Sequence, residues 1–284
     1  KNPSPWVNLD NRFSPEYLRY GLQSDGHFMP RLTIRTGGTA SNLNPAPKPL
    51  NLANVKTSDP LDQQERSLDF LLSSRLYADG VLILQHGKVL AEKYWNGLSA
   101  ERPRLLLGGT RPVLSLMGVL AINQGKLQAT GSVVHHIPAL NQQAALRKLS
   151  IRRLLEGNSR FQWTDSEIKG WQLAGGWKSG KAEAGIRTWL SQPGLWEKDW
   201  SDSSLTLTET GPDDDLLAWT LSETHRTSLA QVFCEGILAG LRPEHPAFWL
   251  TDPKGIELSA GLALSLRDFA RLGQLLVDAR SSGN

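Results

Sequence analysis

A hydroxyl and an amine three residues apart can supply nucleophile and base, and the chain has one such string, Ser166-Glu167-Ile168-Lys169. No apolar helical pattern follows it, so the segment reads as an exposed loop. Asp213-Asp214-Asp215 gathers carboxylates, hard oxygen ligands that suit a cation. They stand directly before Leu216-Leu217, where acids more often cap a helix and complement its dipole. The histidines His27, His86, His135, His136, His225 and His245 lack zinc spacing such as His-Glu-x-x-His, and His135-His136 reads as a surface loop. The single cysteine, Cys234, excludes an internal disulfide and a cysteine-rich metal centre, and reads as a buried small hydrophobe. Neither a metal nor a cofactor is expected. Trp163, Trp171, Trp177, Trp189, Trp196 and Trp200 are clustered enough to form an aromatic rim for a flat ligand or a protein partner, although ordinary packing is the preferred reading.

The elements that must position such groups can be read from periodicity. Residues 1 to 60, with Pro45-Ala-Pro-Lys-Pro49, predict an extended arm whose first third docks through Trp6, Phe13, Tyr17 and Tyr20. Residues 63 to 76 fit an amphipathic helix on Leu68, Phe70-Leu-Leu72 and Leu76. Gly80–Gln85 and Lys88–Trp95 are strand-like runs joined at His86-Gly87, where glycine supplies the positive φ of a tight hairpin. Pro112 to Asn123 is apolar nearly all round, the pattern of a central buried helix, with Pro112 in its first turn and Gly125 beyond its end. Ser115 sits on that helix as a packed serine. Residues 160 to 200 read as loop-rich, and 216 to 240 and 265 to 280 as helices.

The run from Val81 through Tyr94-Trp95-Asn96-Gly97 into Arg104-Leu-Leu-Leu-Gly-Gly-Thr-Arg111 resembles the penicillin-recognising serine hydrolases. These include class C β-lactamases, family VIII esterases and 6-aminohexanoate-dimer hydrolases. Gly125-Lys126-Leu127, Ser150-Ile-Arg-Arg-Leu-Leu155 and Leu266-Arg-Asp-Phe-Ala-Arg-Leu-Gly273 match further family segments, so the likeness spans roughly residues 60 to 280. It implies a β-lactamase/transpeptidase-like fold, an α/β part plus an α-helical lobe at about 112–240 within a domain over 61–284. The family's Ser-x-x-Lys tetrad falls on Gly108, Gly109, Thr110 and Arg111, a register fixed from both the hairpin exit and Gly125. Its Tyr-x-Ser/Asn motif falls on Glu209 and Gly211, counting back from Asp215.

Those substitutions change the chemistry. Glycine has no attacking atom, and a guanidinium stays protonated where a desolvated lysine could accept a proton. A carboxylate at Glu209 does not replace a phenol that shuttles a proton. No catalytic residue is therefore expected, and the chain reads as a pseudoenzyme, a structural or protein-interaction subunit. An amide or ester hydrolase acting through Thr110 or Ser166 is the alternative. A sensor is another, with the amides of Gly108, Gly109 and Thr110 and the Arg111 guanidinium holding a small carboxylate or other anion. Pairing of Arg111 with Glu209 across the emptied site is preferred to anion binding.

The resemblance further implies C-terminal sheet strands that the sequence does not match. A protein partner or a C-terminal fragment is expected to complete the sheet, because a lone hairpin is marginal and its edges invite pairing. It also implies periplasmic or secreted location, in keeping with a chain that starts at Lys1. Over 284 residues, 39% hydrophobic and 21% charged content describes a globular protein with room for one or two domains. A net charge of +3, with lysine and arginine dispersed, argues against nucleic acid, and no apolar run reaches the length of a membrane span.

Overall fold

A computed structural model describes residues 6–35, 37–180, 184–197 and 211–281. Its strands are β1 (Arg31–Ile34), β2 (Lys56–Ser58), β3 (Glu65–Ser67), β4 (Gly80–Gln85), β5 (Lys88–Tyr94), β6 (Arg104–Leu105), β7 (Ala247–Thr251) and β8 (Glu257–Leu264). The early helices are α1 (Leu18–Ser24), α2 (Leu68–Phe70), α3 (Thr110–Asn123), α4 (Ala144–Lys148), α5 (Ile151–Leu155) and α6 (Asp165–Ala174). The later ones are α7 (Ile186–Leu190), α8 (Pro212–His225), α9 (Leu229–Phe233), α10 (Ala239–Leu241) and α11 (Leu266–Ser281). They fall into two compact units, one of residues 1–35, 105–240 and 247–263, the other of 36–104, 241–246 and 264–284.

The first unit is built on α3 and α8, which bury Leu114, Met117, Ala121, Leu216, Leu217 and Leu221. One face of α3 is core, but Pro112, Val119 and Asn123 are exposed on the other, which corrects the expectation of a helix buried all round. Polar signals fix the surrounding helix starts. Ser150 and Ser228 accept from the amides of Arg153 and Gln231, and Thr164 with Glu167 forms a reciprocal capping box. A four-stranded sheet runs in the order β1-β7-β8-β6, with β1, β7 and β8 as far as Ala263 in this unit and β1 and β8 both antiparallel to β7. Almost every residue of β8 is buried. Trp249 packs edge-on against Phe233 at 5.6 Å and donates its indole N–H to the Leu258 carbonyl at 2.7 Å. Gly261 is required there, since an added Cβ would lie 2.8 Å from the Leu250 carbonyl oxygen.

In the second unit β4 and β5 form the expected hairpin, turning through His86 (φ 50°) and Gly87 (φ 70°). The outer edge of β5 is covered by the preceding chain. Ala46 donates to Val89, Val89 to Asn44 and Leu50 to Leu90, at 2.7–2.8 Å. β4 has no strand on its other side among the described residues. Helix α11 packs beside β4 through Leu266 near Gly80, and Arg271 holds Asp268 at 2.9 Å and pairs with Glu244.

Several expectations need correction. The arm contains structure, because Arg31–Ile34 pairs with β7 and Leu18–Ser24 is helical. Residues 65–67 pair with β2, so the helix expected from 63 to 76 shrinks to α2 and one wide turn, Leu71–Arg75. The stretch 160–200 holds α6 and α7, and the helix expected over 216–240 breaks at Arg226, which caps α8 in the left-handed region. Cys234 is half-buried. His136 is tied to α8, its Nδ1 lying 2.9 Å from Thr224 Oγ1.

Candidate functional site

The chain enters α3 through a short 3-10 turn, Leu107–Gly109. Leu107 takes φ 48°, a costly left-handed conformation for a branched side chain, whereas Gly109 has an ordinary helical φ of −63°. Gly108 is not among the positive-φ glycines either. Backbone conformation therefore does not demand glycine at either position, and both simply lack a side chain. Thr110 follows, fully buried, its Oγ1 without a hydrogen-bond partner among the described residues.

Arg111 is held on three sides. Its guanidinium pairs with Asp214, donates to the Leu154 carbonyl, and reaches the Leu155 carbonyl at 3.3 Å. The expected partner, Glu209, lies outside the described residues, and Asp214 is the ion-pair partner the structure gives. Ser115, one turn further along α3, also donates to the Leu155 carbonyl, at 2.9 Å. The end of α5 is thus stitched to α3 by both side chains, which meet the carbonyls of its last two residues.

The acidic triplet heads α8, where Gly211 is the N-cap and Pro212 occupies the first turn. Each carboxylate goes to a different element. Asp213 accepts from Ser159 and, at 3.0 Å, from the Trp163 indole. Asp214 takes Arg111. Asp215 accepts from the Trp171 indole at 2.6 Å and the Ser259 amide at 2.7 Å. The carboxylates diverge, and no metal-ligand cluster occurs among the described residues. Burial pushes Asp213 up to about 6, with the neighbouring Asp214 charge adding to it, and Asp215 up to about 7 against the donors that hold it. Asp214 is raised as well by burial, with Arg111 opposing.

Between these groups lies a cavity of about 220 Å3, lined among others by Arg111, Ser115, Glu156, Asp213 and Asp214. Among the described lining residues acids outnumber bases, a balance that lends no support to the small anion weighed as an alternative at this helix end. The other hydroxyls considered from sequence are differently placed. Ser166 and Lys169 are exposed on the first turns of α6, correcting the loop expected there. Ser159, 4% exposed, has its hydroxyl committed to Asp213. Sequence reasoning missed Asp214 as a partner of Arg111, and Ser159 and Trp163 as donors to Asp213. The available signal was Gly211-Pro212 before three acids and an apolar helix, which buries the first turn and requires its carboxylates to find donors. The tryptophans mostly pack: Trp163 stands edge-on to Trp196 at 5.1 Å, and Trp171, Trp177, Trp189 and Trp196 are buried. Trp200 lies outside the described residues.

No family model matches the chain, and no curated protein matches it in sequence. Solved structures do. A Bacillus anthracis protein described as a 6-aminohexanoate-dimer hydrolase matches 98% of this chain and 74% of its own, with TM-score 0.79 and 18% identity. FmtA from Staphylococcus aureus matches 81% of this chain and 70% of its own, with TM-score 0.50 and 13% identity. A protein from Bacteroides dorei described as a β-lactamase matches 72% and 59%, at 14% identity and TM-score 0.47. The arrangement of helices and antiparallel sheet, read with the first of these, is the β-lactamase-like fold of the serine hydrolases.

Proposed function

We propose that this chain is a non-catalytic relative of the β-lactamase-like serine hydrolases, acting as a structural or protein-interaction subunit. One observation carries the reading: at the tip of α3, two glycines precede an arginine that is locked to Asp214 and to the end of α5. A nucleophile needs an accessible oxygen, sulfur or nitrogen beside a proton acceptor. Gly108 and Gly109 offer no atom, Thr110 is buried, and the guanidinium cannot accept a proton. The interaction role is supported by β4, a Val81-Leu-Ile-Leu84 run half-buried on both faces yet standing at a sheet edge. A separate polypeptide that pairs with this edge is the proposed partner, and a periplasmic or secreted setting belongs to the same proposal.

The test is turnover of a chromogenic β-lactam and of p-nitrophenyl esters by purified protein. The expected rate equals that of heat-unfolded protein at the same concentration. A rate that scales with folded protein and is abolished by Ser159→Ala or Ser166→Ala would sink the non-catalytic reading in favour of hydrolysis.

A further inference from the structure

Strand β1 ends the four-stranded sheet, and among the described residues no strand lies beyond it. One bond fixes its hydrogen-bond parity. Pro30 stands opposite Thr251 and accepts its amide N–H at 2.9 Å, so Leu32 and Ile34 are the β1 residues that exchange bonds with β7. The backbone groups of Arg31 and Thr33 therefore point outward, and they meet no protein partner among the described residues. Such a row of donors and acceptors is a template for another extended chain.

Side chains alternate across this edge. Arg31 and Thr33 are exposed on one face, where the Arg31 guanidinium lies 3.9 Å over the ring of Phe248, the residue opposite Thr33. Arg35, exposed one residue past the strand, continues that alternation. No carboxylate among the described residues pairs with Arg31 or Arg35. Leu32 turns to the other face, 39% exposed, and helps to line an open groove of about 520 Å3 with Ile256, Thr227 and Ser228. The acids of that groove are already engaged. Glu223 holds Arg187 at 2.9 Å, and Glu257 accepts from the Ala230 amide at 3.2 Å.

Charge selects the occupant. A second copy of β1, paired antiparallel about Thr33, would set Arg31 against Arg35, and like charges directly opposite destabilise a sheet. An incoming strand with acids four positions apart meets both arginines instead. An apolar residue beside one of those acids then falls against Leu32 and the groove. We infer that β1 is a docking edge for an extended acidic segment of another protein, which adds a strand to the sheet with its carboxylates on Arg31 and Arg35. This edge lies in a different unit from β4 and does not rest on the partner proposed there.

The probe is a fluorescein-labelled, C-terminally amidated peptide, Gly-Glu-Val-Thr-Val-Glu-Gly, titrated with the whole chain and followed by anisotropy. Binding should saturate. The peptide N-methylated at its threonine, which keeps every charge but loses the N–H that meets Thr33, should not bind. Arg35→Glu should weaken binding about fivefold, and exchanging the first glutamate of the peptide for lysine should restore it. Thr33→Pro should abolish binding with the near-UV circular dichroism unchanged, whereas Leu82→Pro should leave binding intact. Absence of saturable binding, equal binding of the N-methylated peptide, or loss through Leu82→Pro instead of Thr33→Pro overturns the inference. So does a dimer in sedimentation that Thr33→Pro dissociates, which would give the edge to a second copy.

Discussion

Arg111 occupies the site as a structural clamp. Exchanging it for methionine leaves Asp214 buried without its cation and removes one donor each from the carbonyls of Leu154 and Leu155. The expected loss is about 3 kcal/mol in urea unfolding, the cost of breaking a buried pair, and Arg111→Met with Asp214→Asn should recover part of it. No loss would mean that the pair is not formed in solution. Asp213 and Asp215 give a pH signature. Their folded values, about 6 and about 7, lie above the ordinary 3.8, so the folded chain holds protons that the unfolded chain has released. Stability from these groups is full below the unfolded value and falls as pH rises through about 6 and 7. Thermal unfolding should therefore show a lower Tm at pH 8 than at pH 5. Asp215→Asn sets an amide N–H against the Trp171 donor and lowers Tm at pH 5, but should flatten the decline. An equally steep decline in that variant would assign the titration elsewhere.

At the level of elements, legibility followed burial pattern. Helix α3, the hairpin and α11 declared themselves because each has one period and a clear stop, as at Gly125 with φ 70°. Strands β7 and β8 were not legible. Their side chains are buried on both faces, and Leu258-Ser-Ala-Gly-Leu-Ala-Leu264 mixes small and apolar residues with no alternation to reveal a strand. Strand β1 hid in a proline-rich arm because its partner lies more than two hundred positions away. The tetrad register rests on two sequence anchors, the hairpin exit and Gly125. The ion pair of Arg111 with Asp214 was not read from the sequence, where charge pointed to Glu209, a residue outside those described. The open edge of β4 yields a test of its own. Trp95 donates to the Asp79 carbonyl, and alternation along the register then turns the backbone groups of Gly80 and Leu82 away from β5. Leu82→Pro removes an outward N–H that the hairpin does not use, and edge strands tolerate proline. By native mass spectrometry, protein isolated from its own cells should appear in a complex heavier than its own denatured mass, and the Leu82→Pro form at that denatured mass. A wild-type chain that runs alone would remove the support for an edge-pairing partner.

For the molecule as a whole, the proposed reading is of a β-lactamase-like fold whose α3 tip is filled by packing rather than by chemistry. The polar atoms near the α3 tip are spent on one another: Arg111 on Asp214, Ser115 on Leu155, Ser159 on Asp213. That is how an interior stabilises buried polar groups. No helix among the described residues is long and apolar enough to cross a membrane, and the net charge of +3 is modest for 284 residues. Neither property conflicts with a subunit that works by presenting surface. The most direct measurement is the intact mass of folded protein after prolonged exposure to excess fluorophosphonate, which captures activated serine and threonine hydroxyls. The expected mass is that of the unmodified 31.3 kDa chain. A stoichiometric adduct, mapped to any hydroxyl bordering the α3 tip, would contradict the account.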